Sequence, residues 1–131
     1  MLHSIHWLAL AACTVANYIF GMIWYSPMVF GKKWAKASGT TLAKPSTKVL
    51  AQSLALSAIS SLLIQLIFTH TQISKRPESM CVALLLGLLV AASMYTAVIW
   101  EKKHVVAYLI CAGYILVSYQ LITAIYMYMA F

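Results

Sequence analysis

The chain has 131 residues, of which 63% are hydrophobic and only 8% charged, and its mean hydropathy is +0.88. Soluble domains carry about 25% charged residues, so the composition excludes a water-facing globule and predicts one small integral membrane domain. The net charge of +7 comes from nine Lys/Arg against Glu78 and Glu101. The basic residues lie in short gaps between apolar runs, which is typical of topology signals and lipid contacts, and we expect no nucleic-acid partner.

Four apolar stretches are each long enough to cross the ~30 Å hydrocarbon core as an α-helix. The predicted fold is an all-α, polytopic membrane protein, a single domain over residues 1–131. The spans are predicted at about 5–25, 47–69, 79–100 and 105–127. Ser46 is a candidate N-cap of the second span. The gap between the third and fourth spans is so short that these two must form an antiparallel hairpin.

The first span carries a face of small residues that includes one amide. Cys13, Asn17 and Gly21 follow one another at four-residue spacing and therefore share a helical face. An amide exposed to lipid would be costly. We therefore expect Asn17 to face the protein interior.

A dense motif follows the first span, where thirty-one residues without a charged side chain give way to five lysines between Lys32 and Lys48. Pro27 disfavours helix at the preceding residue and suits a first helical position. Residues 27–38 are predicted to form a short amphipathic helix in the headgroup plane, with Phe30 and Trp34 opposite the lysines. The alternative is an irregular basic loop.

This motif has two possible roles. Its aromatic rings and Pro27 suit interfacial anchors around a fixed helix-to-helix corner. Alternatively, its rings, hydroxyl and cations could hold an anionic lipid headgroup or a small ligand at the cytoplasmic face. The candidate residues are Trp24, Tyr25, Ser26, Phe30, Lys32, Lys33 and Trp34.

Small and polar residues recur at four-residue spacing on the next two spans. They are Ser53, Ser57, Ser61 and Gln65 on the second span, and Ala83, Gly87 and Ala91 on the third. Such stripes let helices approach closely and bond to one another. With Asn17 they are candidates for helix packing, and the polar ones alternatively for the lining of a solute pathway. Three such faces exceed what one four-helix packing must use, so we expect a homo-oligomer.

Little in the chain suggests catalysis or a cofactor. Glu78 and Glu101 are predicted at opposite membrane faces, so they cannot act as a pair. Three cysteines lie in apolar runs without metal-type spacing, which indicates small buried side chains. A weak metal candidate is His3, because a free N-terminal amine, backbone amides and its imidazole could hold Cu(II). We expect no enzyme activity and no cofactor.

Topology follows from the basic residues. The gaps after the first and third spans hold seven lysines in total, whereas the gap after the second holds Lys75 and Arg76. The positive-inside rule then places both termini outside.

The motif resembles that of small bacterial membrane proteins known as the domain-of-unknown-function family 1761, with the pattern G-x-x-W-Y-x-P-x-x-F-G-K-x-W. The matching residues are Gly21, Trp24, Tyr25, Pro27, Phe30, Gly31, Lys32 and Trp34. The resemblance implies a four-helix domain in the bacterial inner membrane and brings no established activity. Two hypotheses remain: a non-enzymatic lipid-binding or interaction protein that self-associates, or a small oligomeric channel or transporter.

Overall fold

A computed structural model describes residues 5–39, 46–102 and 104–130. This part of the chain forms five α-helices and no strand. They are α1 (Trp7–Trp24), α2 (Gly31–Ser38), α3 (Thr47–Thr71), α4 (Arg76–Glu101) and α5 (Val105–Ala130). The four long helices are each long and apolar enough to cross a membrane. The predicted all-α membrane fold is therefore confirmed.

Side-chain caps fix two of the helix starts. The Ala9 amide donates to Nδ1 of His6, at 3.0 Å, so α1 begins after a histidine. The Val49 amide donates to Oγ of Ser46, at 3.3 Å, which confirms the predicted cap of α3. Both caps satisfy amides that the first helical turn leaves without a partner.

The long helices extend further into polar sequence than their apolar cores indicate. α4 begins at Arg76 instead of 79, because Pro77 is acceptable in a first turn, where no amide donor is needed. α3 continues to Thr71 and ends at Gln72, whose φ of 56° is left-handed. α5 reaches Ala130, three residues beyond its predicted end. Hydropathy predicts only the part of a helix that lies in lipid. The helix itself continues until a cap or a turn ends it.

The short amphipathic helix exists, but it begins later than predicted. Residues 27–30 form turns, and α2 starts only at Gly31. The prediction that Pro27 occupies the first helical position is wrong. The chain instead folds back on itself: the Phe30 amide donates to the carbonyl of Trp24, and the Gly31 amide donates to that of Ser26.

Helix α5 lies at the centre and contacts each of the other helices, whereas α4 packs mainly on α5. Gly87 faces Leu116, and Gln120 donates to the Met80 carbonyl, so α4 and α5 run antiparallel as predicted. A hydrophobic core joins α1, α3 and α5. Its buried members are Ala9, Cys13, Ile64, Phe68, Ile122, Tyr126 and Met127.

The helix directions bring most of the positive charge to one end. α1 runs antiparallel to α5, since Cys13 pairs with Ile122 and Trp24 with Ile110. The ends of α1 and α4, all of α2 and the starts of α3 and α5 therefore lie at the same end of the molecule. We call this the basic end; its described lysines are Lys32, Lys33, Lys36, Lys48 and Lys102.

Candidate binding site at the basic end

The backbone of the corner between α1 and α2 is closed tightly at Gly31. A Cβ on this residue would lie 2.3 Å from the carbonyl oxygen of Tyr25 and 2.7 Å from that of Ser26. Both are backbone atoms, so no side-chain movement could relieve the overlap. Only glycine fits, and the corner has one well-defined shape.

Trp24 fastens this corner to α5. Its indole Nε1–H donates to the Ile110 carbonyl at 3.0 Å. The ring lies over Gly113, where an added Cβ would approach it to 3.2 Å. Phe30 covers Trp24 from the other side, with ring centroids 4.6 Å apart.

Tyr25 makes a second connection to α5. Its hydroxyl donates to Sγ of Cys111 at 3.3 Å, and its ring makes a T-shaped contact with that of Trp34, with centroids 5.8 Å apart. Burial, and the hydrogen bond to Cys111, raise the pKa of Tyr25, so the group stays protonated and able to donate. The neighbouring Ser26 hydroxyl donates to the Ile23 carbonyl at 2.7 Å.

The lysines occupy the opposite face of α2. Gly31 and Ala35 are buried against the bundle, while Lys32, Lys33 and Lys36 are exposed. None of the three forms an ion pair with a residue in the described part of the chain. An exposed lysine keeps its ammonium group free to meet an anion.

The structure therefore separates the predicted site into two parts. The half-buried rings form two pairs, Trp24 with Phe30 and Tyr25 with Trp34, and among the predicted residues only the lysines are exposed. This geometry favours the interpretation of the rings as a helix-to-helix corner.

Sequence reasoning missed part of the ring cluster. Phe20 stacks on Tyr114 and also contacts Trp24, with centroids 5.6 Å apart in both pairs. The four-residue spacing of Phe20 and Trp24 was a usable signal, because it places both on one face of α1. Nothing in the sequence marks Ile110 or Cys111 as their partners on α5.

The second group of predicted residues lies inside the bundle. Asn17 joins three helices: Nδ2 donates to Oγ of Ser57 at 3.2 Å, and Oδ1 accepts from Oγ of Ser118. The expectation that Asn17 faces the protein interior is confirmed. Further along α3, Ser61 and Gln65 are also buried, and Nε2 of Gln65 donates to the His6 carbonyl at 3.3 Å.

The polar stripe of α3 does not continue to Ser53. That residue is exposed, and its hydroxyl donates to the Val49 carbonyl of its own helix at 2.8 Å. Ser53 therefore does not belong to the face that packs inside the chain, because α3 has left the bundle by this level. Apart from half-buried Leu50, every residue from Thr47 to Leu56 is exposed.

The small-residue face of α4 packs within the molecule. Ala83, Gly87 and Ala91 are buried, and Gly87 lies against Leu116 of α5. Among the cysteines, Cys13 is buried as predicted, whereas Cys81 is exposed on the apolar surface.

The metal prediction lies outside the described residues, since His3 belongs to the first four positions. Within the described ranges, no group of three His, Cys, Asp or Glu residues is placed to hold a metal ion.

Comparison with known proteins gives a family and no activity. The family model described as "Protein of unknown function (DUF1761)" matches residues 8–127. No curated protein and no solved structure matches the chain. The family match covers nearly the whole chain, including α3, α4 and almost all of α1 and α5, and the chain therefore belongs to the DUF1761 family of proteins of unknown function.

Proposed function

We propose that this protein is a non-enzymatic membrane protein that binds anionic lipid headgroups at its basic end. The observation that carries the proposal is the division of α2 into two faces. Gly31 and Ala35 hold the helix on the bundle, and Lys32, Lys33 and Lys36 point away from it without an ion pair to a described residue.

The charge of the whole chain supports the same site. In the sequence, the connections from α1 to α3 and from α4 to α5, with the residues that border them, hold seven of the nine basic residues and Glu101, a net charge of +6. The other end has Lys75 and Arg76 against Glu78, or +1, and the two sum to the +7 of the chain. Anionic headgroups attract such clusters by roughly 1 kcal/mol per lysine. We propose that the protein lies in a bacterial inner membrane. By the positive-inside rule, its basic end then faces the cytoplasm and both termini lie outside.

The polar faces favour packing over a solute pathway. Asn17, Ser57 and Ser118 bond to one another between three helices, and Gln65 bonds to α1. These side chains are used to join helices, which gives the channel or transporter hypothesis no specific support.

Self-association remains part of the proposal, but on a different surface from the one predicted. The small faces of α1 and α4, and the Ser57–Gln65 face of α3, pack inside one chain. The exposed small pair Ala51 and Ala55, on the first half of α3, is free for a second copy.

Lipid retention tests the proposal. The variant Lys32→Gln/Lys33→Gln/Lys36→Gln is compared with the parent in nanodiscs that contain phosphatidylglycerol and phosphatidylcholine. After release into detergent, native mass spectrometry counts the phosphatidylglycerol that stays bound. We expect roughly a tenfold loss for the triple variant, since three cations are removed and screening reduces their full effect.

Two controls complete this experiment. The variant Lys75→Gln/Arg76→Gln removes two charges at the other end and should retain lipid like the parent. Replacement of the three α2 lysines by arginine keeps the charge and should preserve binding. Unchanged phosphatidylglycerol in the glutamine variant would refute the proposed function.

A further inference from the structure

Two polar contacts mark the levels at which α1 and α3 meet. Asn17 of α1 bonds to Ser57 of α3, and the His6 carbonyl accepts from Gln65. Ser61 lies midway between these two α3 residues at four-residue spacing and is therefore on the same helical face. It is 0% exposed, so it lies inside the interface.

Three buried side-chain oxygens in the described part of the chain have no protein partner. Two lie in this interval, Oγ of Ser61 and Oε1 of Gln65, and the third is Oγ1 of Thr123 on α5. Gln65 is only 1% exposed, and its amide nitrogen is already bonded to the His6 carbonyl. A buried hydroxyl or amide oxygen without a hydrogen bond destabilises the folded protein, because the oxygen has lost its contact with water and gained no partner. In lipid, no bulk water is available to supply the bond.

The facing wall of α1 has small side chains at these levels. Ala9 and Cys13 are both 0% exposed and lie on the face that includes Asn17. Alanine offers no polar atom. The Cys13 thiol donates to the Ile122 carbonyl of α5 at 3.4 Å, so its proton is committed elsewhere. Neither side chain can donate to Oε1 of Gln65.

We propose that an ordered water molecule binds between Ser61 and Gln65 and joins the two unpaired oxygens. The Ser61 hydroxyl donates to the water, and the water donates to Oε1 of Gln65. Two hydrogen bonds of about 2.8 Å each that meet at one water join oxygens about 4.5 Å apart, and Ser61 and Gln65 lie about one helical turn apart on the same face. The Cys13 sulfur is a third, weak acceptor at this level.

This water completes a polar layer inside an apolar three-helix core. The layer runs from the Asn17–Ser57–Ser118 contact to the Gln65–His6 contact. A buried water of this kind has two to four polar partners and is costly to remove. Its role is to fix the position of α3 against α1, independently of lipid binding at the basic end.

Solid-state NMR in nanodiscs tests for the water directly. With ¹⁵N-labelled glutamine, magnetisation is transferred from water to the side-chain amide of Gln65, whose signal is assigned by its loss in Gln65→Met. We expect transfer in the parent and at least a severalfold loss in Ser61→Ala. The control Ser53→Ala changes an exposed serine whose hydroxyl bonds to its own helix, and should leave the transfer unchanged.

Thermal unfolding of the same variants provides an independent measurement. We expect Ser61→Ala and Gln65→Met each to lower the melting temperature, and the double variant to lower it by less than the sum, because both groups share one water. Coupling without water transfer would indicate a direct Ser61–Gln65 hydrogen bond and overturn the proposal. A melting temperature that is unchanged or higher in Ser61→Ala would also overturn it, since removal of an unpaired buried hydroxyl costs nothing.

Discussion

Single residues determine the shape of the corner between α1 and α2. The absence of a side chain at Gly31 lets the chain turn back onto the carbonyls of Tyr25 and Ser26. Trp24 then fastens the turn to α5 through both its ring and its N–H group. The corner thus depends on a residue without a side chain, Gly31, and on a large one, Trp24.

At this scale we predict that Gly31→Ala destabilises the protein by about 2–4 kcal/mol, because backbone atoms must move. The measurement is thermal or denaturant unfolding in detergent, followed by tryptophan fluorescence. The control Gly39→Ala places a side chain in open space at a φ of 71° and should cost only about 1 kcal/mol. Equal losses in the two variants would show that the overlap at Gly31 is relieved without strain.

The helices differ in how much of their length is supported. α5 contacts every other helix, whereas α4 depends mainly on α5. The first ten residues of α3 stand apart from the bundle, while its second half contributes Ile64 and Phe68 to the core. Helix α2 is too short to be stable alone, and its place on α5 comes from the buried Gly31–Ala35 face.

The α4–α5 contact predicts how stability changes when a side chain is added at Gly87. An added Cβ at Gly87 would lie 2.8 Å from the flexible Cδ2 of Leu116, so Gly87→Ala should cost less than about 1 kcal/mol. Gly87→Val adds two more methyl groups and should displace α4, at a cost of about 2–3 kcal/mol. The measurement is the unfolding free energy in detergent.

The matched control is Ala92→Val, on the exposed surface of α4, which should change stability by less than about 0.5 kcal/mol. If both valine variants unfold alike, α4 does not depend on close approach at Gly87.

For the whole molecule, the uneven charge is the main organising feature. Both the proposed lipid contact and the proposed orientation rest on the +6 of the basic end. They can nevertheless be separated by experiment, because orientation is set during insertion and lipid binding is measured afterwards.

Orientation is tested with one added cysteine at a time, at an exposed position near either end of the bundle: Ser38→Cys or Ser74→Cys. In this background Cys81 and Cys111 are replaced by alanine, and buried Cys13 is kept. A membrane-impermeant maleimide added to bacterial spheroplasts should label position 74 and not position 38. Position 38 should react only after the membrane is opened, and labelling of position 38 alone in intact spheroplasts would reverse the topology.

Local sequence signals were sufficient to predict the membrane class, the four spans, the α4–α5 hairpin and the inward-facing Asn17. Each of these follows from local composition or periodicity: apolar length, a short connection, or the cost of an amide in lipid. The same local signals placed Pro27 inside a helix, because they do not contain the backbone bonds that close the turn from Trp24 to Gly31.

The packing of distant helices determines which residues of the motif are available to a ligand. From the sequence, the rings of this motif had two possible roles. Contacts with Ile110, Cys111 and Gly113 of α5, about 86 positions away, commit Trp24 and Tyr25 to joining helices. It also left Ser53 outside the packed face that holds the other polar residues of α3. The physical reason is the same in both cases: burial depends on which distant helix lies opposite a residue, and local spacing specifies a face without specifying what that face meets.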